Sequence, residues 1–333
     1  MANVRNVHER RIEAPAPVVG ALLDRLGGDD DPLWPTPAWA PLVLDRPLAL
    51  GADGGHGPVR YFVSGYDPGR RIRFTFHPNL GLDGYHELTV TADGPAACRM
   101  RHEVVIGPRG QARLLWPAVI RWLHDALLED LLDNAERVAT GRVAQPARWS
   151  WWVRRWRGLE FPRPRAVAIP AEATLLTDFG PADFADAWQV PWLPGMSTDP
   201  ADWARRVFGD PPRWVATLLV ARNALVRLVG VPPASRRVFD VHAASEREAL
   251  LGVDDEHLDF RVSVLVDPAG RRVTLSTVTR AHNRRGRFYL AVVRRLHPLV
   301  VRAMLRRALH RFALHSAGPH GSRGERAAAP RPS

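Results

Sequence analysis

Residues 111–140, QARLLWPAVIRWLHDALLEDLLDNAERVAT, followed by Gly141, decide the architecture. Ile120, Leu123, Leu127, Leu131 and Val138 recur at helical spacing and make one apolar stripe, with Asp125, Glu129, Asp133 and Glu136 off it. Glycine stops such a helix by adopting the left-handed conformation at its end. A long helix with one apolar face needs a partner surface. The preceding chain supplies strands: Val59–Tyr66, Arg70–His77, Tyr85–Thr91 and Cys98–Ile106 alternate with period two, with turns at Asp67-Pro68-Gly69 and Asp93-Gly94-Pro95. Further out, Val4–Glu13 reads as a strand and Ala16–Leu26 as a short helix. Residues 27–41 are a loop rich in Gly, Asp, Pro and Trp.

A second series follows. Ala171–Thr177 reads as a strand, and Pro181–Gln189 and Asp199–Phe208 as short helical pieces. Trp214–Val229 reads as an amphipathic helix. Arg237–Ala243, Leu258–Val266 and Arg272–Ala281 read as strands, and Arg287–Phe312 as a basic helix. Both series end alike. Asp93 and Asp267 open a turn, Arg109-Gly110 and Arg285-Gly286 precede the last helix, and His124 and His297 lie on it, at offsets of 174, 176 and 173 residues. Two copies of one architecture are expected.

The 333 residues are 46% hydrophobic and 24% charged, a globular composition. Cys98 is the single cysteine, which excludes an internal disulfide and a thiolate cluster. The N-terminus has no apolar core of a signal peptide, so a cytoplasmic protein is expected. The formal charge is +11, and all 46 basic residues are arginine, an amino-acid bias of GC-rich coding sequence. The excess is concentrated in residues 148–167, with six arginines against one acid, and after Asp267, where no acid follows before the tail. No nucleic-acid-binding motif accompanies it, so no specific nucleic-acid partner is expected.

Strand, short helix, antiparallel meander and long closing helix make residues 4–140 similar to the START/birch-allergen-like (SRPBCC) superfamily, including its polyketide cyclase/dehydrase-like members. The carriers are Arg11-Ile12-Glu13-Ala14-Pro15 ahead of a helix and the closing helix. Residues 170–312 resemble the domain-of-unknown-function family two-eight-six-seven. The resemblance lies in Gly252-Val253-Asp254-Asp255-Glu256-His257-Leu258-Asp259-Phe260-Arg261, in Asn283-Arg284-Arg285-Gly286-Arg287-Phe288-Tyr289, and in His297 and Met304-Leu305. That family is often fused behind NAD(P)-binding epimerase-like modules. Here no Gly-x-Gly-x-x-Gly follows a strand, so no cofactor is expected. The resemblances imply an α+β protein of two tandem helix-grip-like modules, each a curved antiparallel sheet wrapped on a long C-terminal helix. The expected parts are residues 1–147, a Trp/Arg/Pro-rich linker 148–168, residues 169–315 and a disordered tail 316–333.

A sheet closed by one helix leaves room for an apolar ligand. Phe74, Phe76, Leu88, Val90, Met100 and Val104 alternate onto one face. If Leu88 pairs with His102, His86 stands diagonal to His102, roughly 7–8 Å away between backbones. Two histidines in an apolar pocket orient a carbonyl or act as acid and base. Phe74, Phe76, His86, Leu88, Met100, His102 and Leu123 are therefore the candidate site, with no metal expected because no third ligand stands at suitable spacing. In the second module the candidates are His257, Asp259 and Arg261, read as sharing one strand face, with Arg287, Tyr289 and His297 at the last helix. No serine lies in a nucleophile elbow.

The expected function is binding of a small hydrophobic molecule, lipid or polyketide-like, without turnover. A cyclase/dehydrase-type enzyme using His86 and His102 is the alternative. A second alternative is weak contact with an anionic membrane surface through Trp149, Trp152, Arg154, Arg155, Trp156 and Arg157; the same composition also suits a strap that buries indoles.

Overall fold

Nine residues of alternating exposure, Val4–Ile12, form β1, and Ala16–Leu23 form the short helix α1 behind them. The computed structural model describes residues 4–78, 81–218, 220 and 241–315. After β2 (Leu42–Leu44) and β3 (Asp53–His56) come β4 (Val59–Asp67), β5 (Arg71–Phe76), β6 (Leu82–Ala92) and β7 (Cys98–Pro108). All pair antiparallel in the order β1-β7-β6-β5-β4-β3-β2, so the first strand lies beside the last. In β7, Cys98, Met100, His102, Val104 and Ile106 are buried and the residues between them are not, as one solvated face requires.

The expected helix 111–140 is present in three pieces: α2 (Ala112–Leu115), a π-helical turn (Trp116–Ile120) and α3 (Arg121–Thr140). Pro117 inside the turn removes one backbone donor and accounts for the break. Gly141 caps α3 at φ 78°, in the left-handed region.

The faces of α3 differ from the expectation. Leu127 and Leu131 are buried, but Val138 is half exposed, and Asp130, Asp133 and Glu136 are buried instead. The acids face β1. Arg10 donates to Asp133 (2.6 Å), Glu136 (3.0 Å) and Glu129 (2.9 Å). The helix thus grips the sheet through an ionic seam as well as an apolar core of Ile12, Leu23, Ile72, Phe74, Met100, Leu131 and their neighbours.

Residues 148–160 belong to this first unit, whose boundary with the next falls between Glu160 and Phe161. Helix α4 (Trp151–Glu160) packs on α3, so the first part of the expected linker is an element of the first module.

The second unit, Phe161–Leu314, holds a six-stranded antiparallel sheet. Its strands are β8 (Arg165–Val167), β9 (Phe184–Pro191), β10 (Val241–Ala244), β11 (Glu248–Val253), β12 (Leu258–Asp267) and β13 (Arg272–Ala281), in the order β10-β11-β12-β13-β9-β8. Helices α5 (Pro200–Phe208) and α6 (Arg284–His315) accompany it. Residues 262–267 and 273–279 are buried without alternation, because both faces of these strands are covered. On one side lie Met304, Leu305, Leu309 and Trp203; on the other, Ala173 and Leu176 meet Val278.

Two local expectations are corrected. Thr174–Phe179 is a 3₁₀ turn, not a strand, since Ala173 and Leu176 reach the sheet at a spacing of three. Pro181–Gln189 is not helical: Phe184–Pro191 is a strand held by eight consecutive pairings to β13, which override its proline and aspartate start signal. The expected helix Trp214–Val229 and strand Arg237–Ala243 fall largely outside the described residues, as does the tail from 316.

Candidate functional site

The register places Leu88 opposite His102 and His86 opposite Val104. The diagonal imidazoles touch, with His86 Nδ1 3.2 Å from His102 Nε2. His86 is stacked on Phe74 and on Phe76, each at 5.0 Å between centroids, and meets Tyr61 edge-on at 4.7 Å. Leu88 and Met100 are buried, as expected of lining residues, while Phe76 and Leu123 are partly exposed.

The outer nitrogens of the pair, His86 Nε2 and His102 Nδ1, are buried and find no hydrogen-bond partner among the described residues, and neither does Tyr61 Oη. Buried polar atoms are rarely left so. Burial, and then the neighbouring His124, holds both imidazoles well below the ordinary histidine range, so both are neutral at pH 7. A neutral imidazole carries one N–H. Whichever ring donates at the shared contact, the outer nitrogens then comprise one donor and one acceptor. A shift of the shared proton, matched by proton exchange at the outer nitrogens, interchanges those roles. The contact lies nearly on the line between the ring centres, so the outer nitrogens stand at opposite ends of the pair, and a ligand hydroxyl or carbonyl meets one of them.

The row of rings continues to residues that sequence reading missed. His124 lies 5.1 Å from His102 between centroids, and His8 6.1 Å from His124. His8 Nδ1 is 2.7 Å from Glu129 and its Nε2 3.1 Å from Asp125 Oδ1, which also accepts from Asn6 Nδ2 at 2.9 Å. Burial opposes the charge on His8, but the two carboxylates outweigh it and raise the imidazole to about 9. His124 Nδ1 is buried, 3.7 Å from Asp125 Oδ1 and beyond hydrogen-bond distance of any described residue. The signal was present: Asn6, His8 and Arg10 put polar groups at period two on the inner face of β1, matching acids at 125, 129 and 133 on the helix. Packing of α3 on β1 brings His8 to His124 and Asp125. The atoms of His8, His124 and Asp125 lie within 4.8 Å of one another.

The two clefts described lie elsewhere. One of about 430 Å³ is lined by Asp83, Tyr85, Val105 and Arg109 of β6–β7 and the loop after it. The other, about 300 Å³, is lined by Glu172, Thr174, Arg247 and Glu248 of the second unit.

In the second unit the expected residues are engaged by separate partners. His257 precedes β12 and contacts Asn283 Nδ2 through its Nδ1 at 2.7 Å. Asp259 pairs with His282 (2.8 Å), and Arg261 pairs with Asp254 (2.6 Å), not with Asp259. His297 pairs with Asp186 (3.2 Å) against Phe184. Tyr289 is partly buried, and Arg287 is exposed. A local carboxylate satisfies Arg261 and another His297, and the six residues form no single constellation. A buried carboxylate not expected from sequence, Glu248, accepts from Ser263 Oγ at 2.5 Å.

The Trp/Arg stretch is also partly reassigned. Trp149 and Trp39 both donate their indole N–H to Asp130 Oδ2, at 2.8 and 2.7 Å. Arg157 is buried over Trp39, donating to Ala38 O and Glu160. These two residues are thus turned into the unit and are not available to a membrane surface. Trp152 Nε1 donates to Ala118 O, whereas Trp151, Arg154 and Arg155 are exposed. No helix among the described residues is long and apolar enough to cross a membrane.

Residues 179–304 match the family described as "Protein of unknown function (DUF2867)", which contains both motifs on which the resemblance was drawn. No curated protein matches the chain. Among solved structures, the chain is similar to a norcoclaurine synthase from Thalictrum flavum, with 13% identity, over 42% of this chain and 98% of that one, at a TM-score of 0.35. It is similar to the Zhui aromatase/cyclase from Streptomyces sp. R1128 at 18% identity, over 43% and 100%, at 0.33. CalU16 from Micromonospora echinospora gives 16% identity, over 47% and 89%, at 0.31.

Proposed function

We propose that the first unit binds a small, largely apolar, planar molecule carrying a hydroxyl or carbonyl, with its ring among Tyr61, Phe74 and Phe76 and its oxygen on the His86–His102 pair. The observation that carries this reading is the buried pair with both outer nitrogens unpartnered among the described residues. Tyr61, Phe74 and Phe76 all pack on His86, so the surroundings of the pair are aromatic, which supports a flat, polyketide-like ring system over an aliphatic lipid chain. No carboxylate bonds either imidazole among the described residues, which favours holding over turnover.

The test compares 2-naphthol with naphthalene by calorimetric titration. The ring is common to both, and the hydroxyl is the difference. The native protein is expected to prefer 2-naphthol by roughly tenfold, the worth of about one hydrogen bond to an otherwise unpaired buried group. The double variant His86→Phe/His102→Phe, if folded by circular dichroism, is expected to keep naphthalene and lose the preference. Binding of neither compound, or an unchanged preference in the variant, overturns the reading.

The shared proton supports a second reading, acid–base turnover, because a matched donor and acceptor can deliver one proton while removing another. For an enzyme, His86→Ala lowers a turnover rate by roughly 10²–10⁴ and spares affinity. For a carrier the same change costs affinity alone.

A further inference from the structure

The far end of the histidine row has the composition of a metal site. We propose that His8 Nε2, His124 Nδ1 and Asp125 Oδ1 bind a divalent transition ion of the zinc class. This goes beyond the ligand reading and involves none of its residues.

Three observations converge. The first is geometry. A tetrahedral ion at about 2.0–2.2 Å from nitrogen and oxygen ligands sets them roughly 3.3–3.5 Å apart. The edge from His8 to Asp125 is 3.1 Å and that from His124 to Asp125 is 3.7 Å, so both bracket the required spacing. The third edge is within 4.8 Å.

The second is the state of the ligands. His8 Nδ1 is 2.7 Å from Glu129 Oε1. Binding of the ion displaces the proton of Nε2 to solvent while Nδ1–H goes on donating to Glu129, and the freed Nε2 lone pair faces Asp125 and His124. A carboxylate behind a ligating histidine is the usual orienting arrangement at metal sites. Glu129 is itself held by Arg10 at 2.9 Å, and Asp125 by Asn6 at 2.9 Å. The first layer thus has a fixed second layer.

The third is the orphaned atom. An ion pair of His8 with two carboxylates explains His8 without a metal, but it leaves His124 Nδ1 buried, 3.7 Å from Asp125 Oδ1 and beyond hydrogen-bond distance of any described residue. An ion bound by all three residues satisfies that atom. Two histidines and one carboxylate leave a fourth position open, as in catalytic rather than structural zinc sites.

The experiment uses the metal-free full-length chain titrated with Co²⁺, read by calorimetry and by the visible absorption of the bound ion, with Zn²⁺ as competitor. One equivalent is expected to bind with a low-coordinate cobalt spectrum that Zn²⁺ abolishes. His124→Ala is expected to lose the spectrum. Glu129→Gln, which touches no metal, is expected to weaken binding roughly 10–100-fold while keeping the spectrum. His8→Gln, which can keep a hydrogen bond to Asp125, guards against loss through unfolding and is expected to lose the spectrum too. Absence of a saturable single site, or equal binding by native protein, His8→Gln and His124→Ala, overturns the proposal. The naphthol titrations are run on the same metal-free protein, so either result stands without the other.

Discussion

Asp130 shows how far a single residue is defined by its surroundings. It is 6% exposed, and burial outweighs the two indole donors and raises its carboxyl to about 6. The folded chain therefore holds a proton that the unfolded chain, titrating near pH 3.9, has released. Stability falls as pH rises through roughly 4 to 6 and stays lower above that window. An asparagine in its place would keep an acceptor for Trp39 and Trp149 without the charge. Relative to the native protein, Asp130→Asn is expected to gain about 1–3 kcal/mol between pH 4 and pH 7, measured by urea unfolding at both values. A difference independent of pH contradicts this assignment. Of the site, His86 and His102 were legible because a hairpin register follows from alternation and turn position. His8 was not, since its place depends on the pairing of β1 with the distant β7, and Tyr61 was not, since an irregularity between Val63 and Gly65 shifts the register of the β4–β5 hairpin.

At the scale of elements, the grip of α3 on the sheet rests on charge as much as on apolar area. Arg10→Met removes the partner of buried Asp133 and Glu136 and is expected to cost about 3–5 kcal/mol, because carboxylates left unpaired out of water are strongly unfavourable. Adding Asp133→Asn and Glu136→Gln is expected to restore most of the loss. A second close fit lies between α1 and the β4–β5 turn. A methyl at Gly20 would stand 2.3 Å from Gly69 O, so Gly20→Ala is expected to destabilise by about 1–3 kcal/mol in the same assay. The long helices and the central hairpins were readable because their periodicity extends over many residues. The acids of α3 were read only as lying off the apolar stripe, and their burial was not legible, since a polar helix face pairs with a polar strand face only when the two are packed. Strand β9 was misread for the related reason that its partner β13 lies some ninety residues on.

For the whole molecule, two units with separate cores predict that residues 1–160 and 161–315 each give a cooperative melt when expressed alone; failure of either to fold alone contradicts the division at residue 160. The excess positive charge bears on surface contact. Trp151, Leu114 and Trp122 are exposed beside Arg154, Arg155 and Arg121, a composition suited to an anionic interface. Binding to phosphatidylserine-containing vesicles is expected to weaken with salt and to fall in Arg154→Ala/Arg155→Ala, with little binding to neutral vesicles. Equal binding to both compositions contradicts it. The central claim, however, concerns the interior of the first unit, where two neutral imidazoles share one proton and leave one donor and one acceptor for a ligand. It is tested most directly by long-range ¹H–¹⁵N correlation of the imidazole rings at pH 7, with and without 2-naphthol. The account predicts that His86 and His102 are neutral, and that 2-naphthol shifts their outer nitrogens, Nε2 and Nδ1. Imidazolium signatures at either residue, or outer nitrogens unmoved at saturating 2-naphthol, would contradict it.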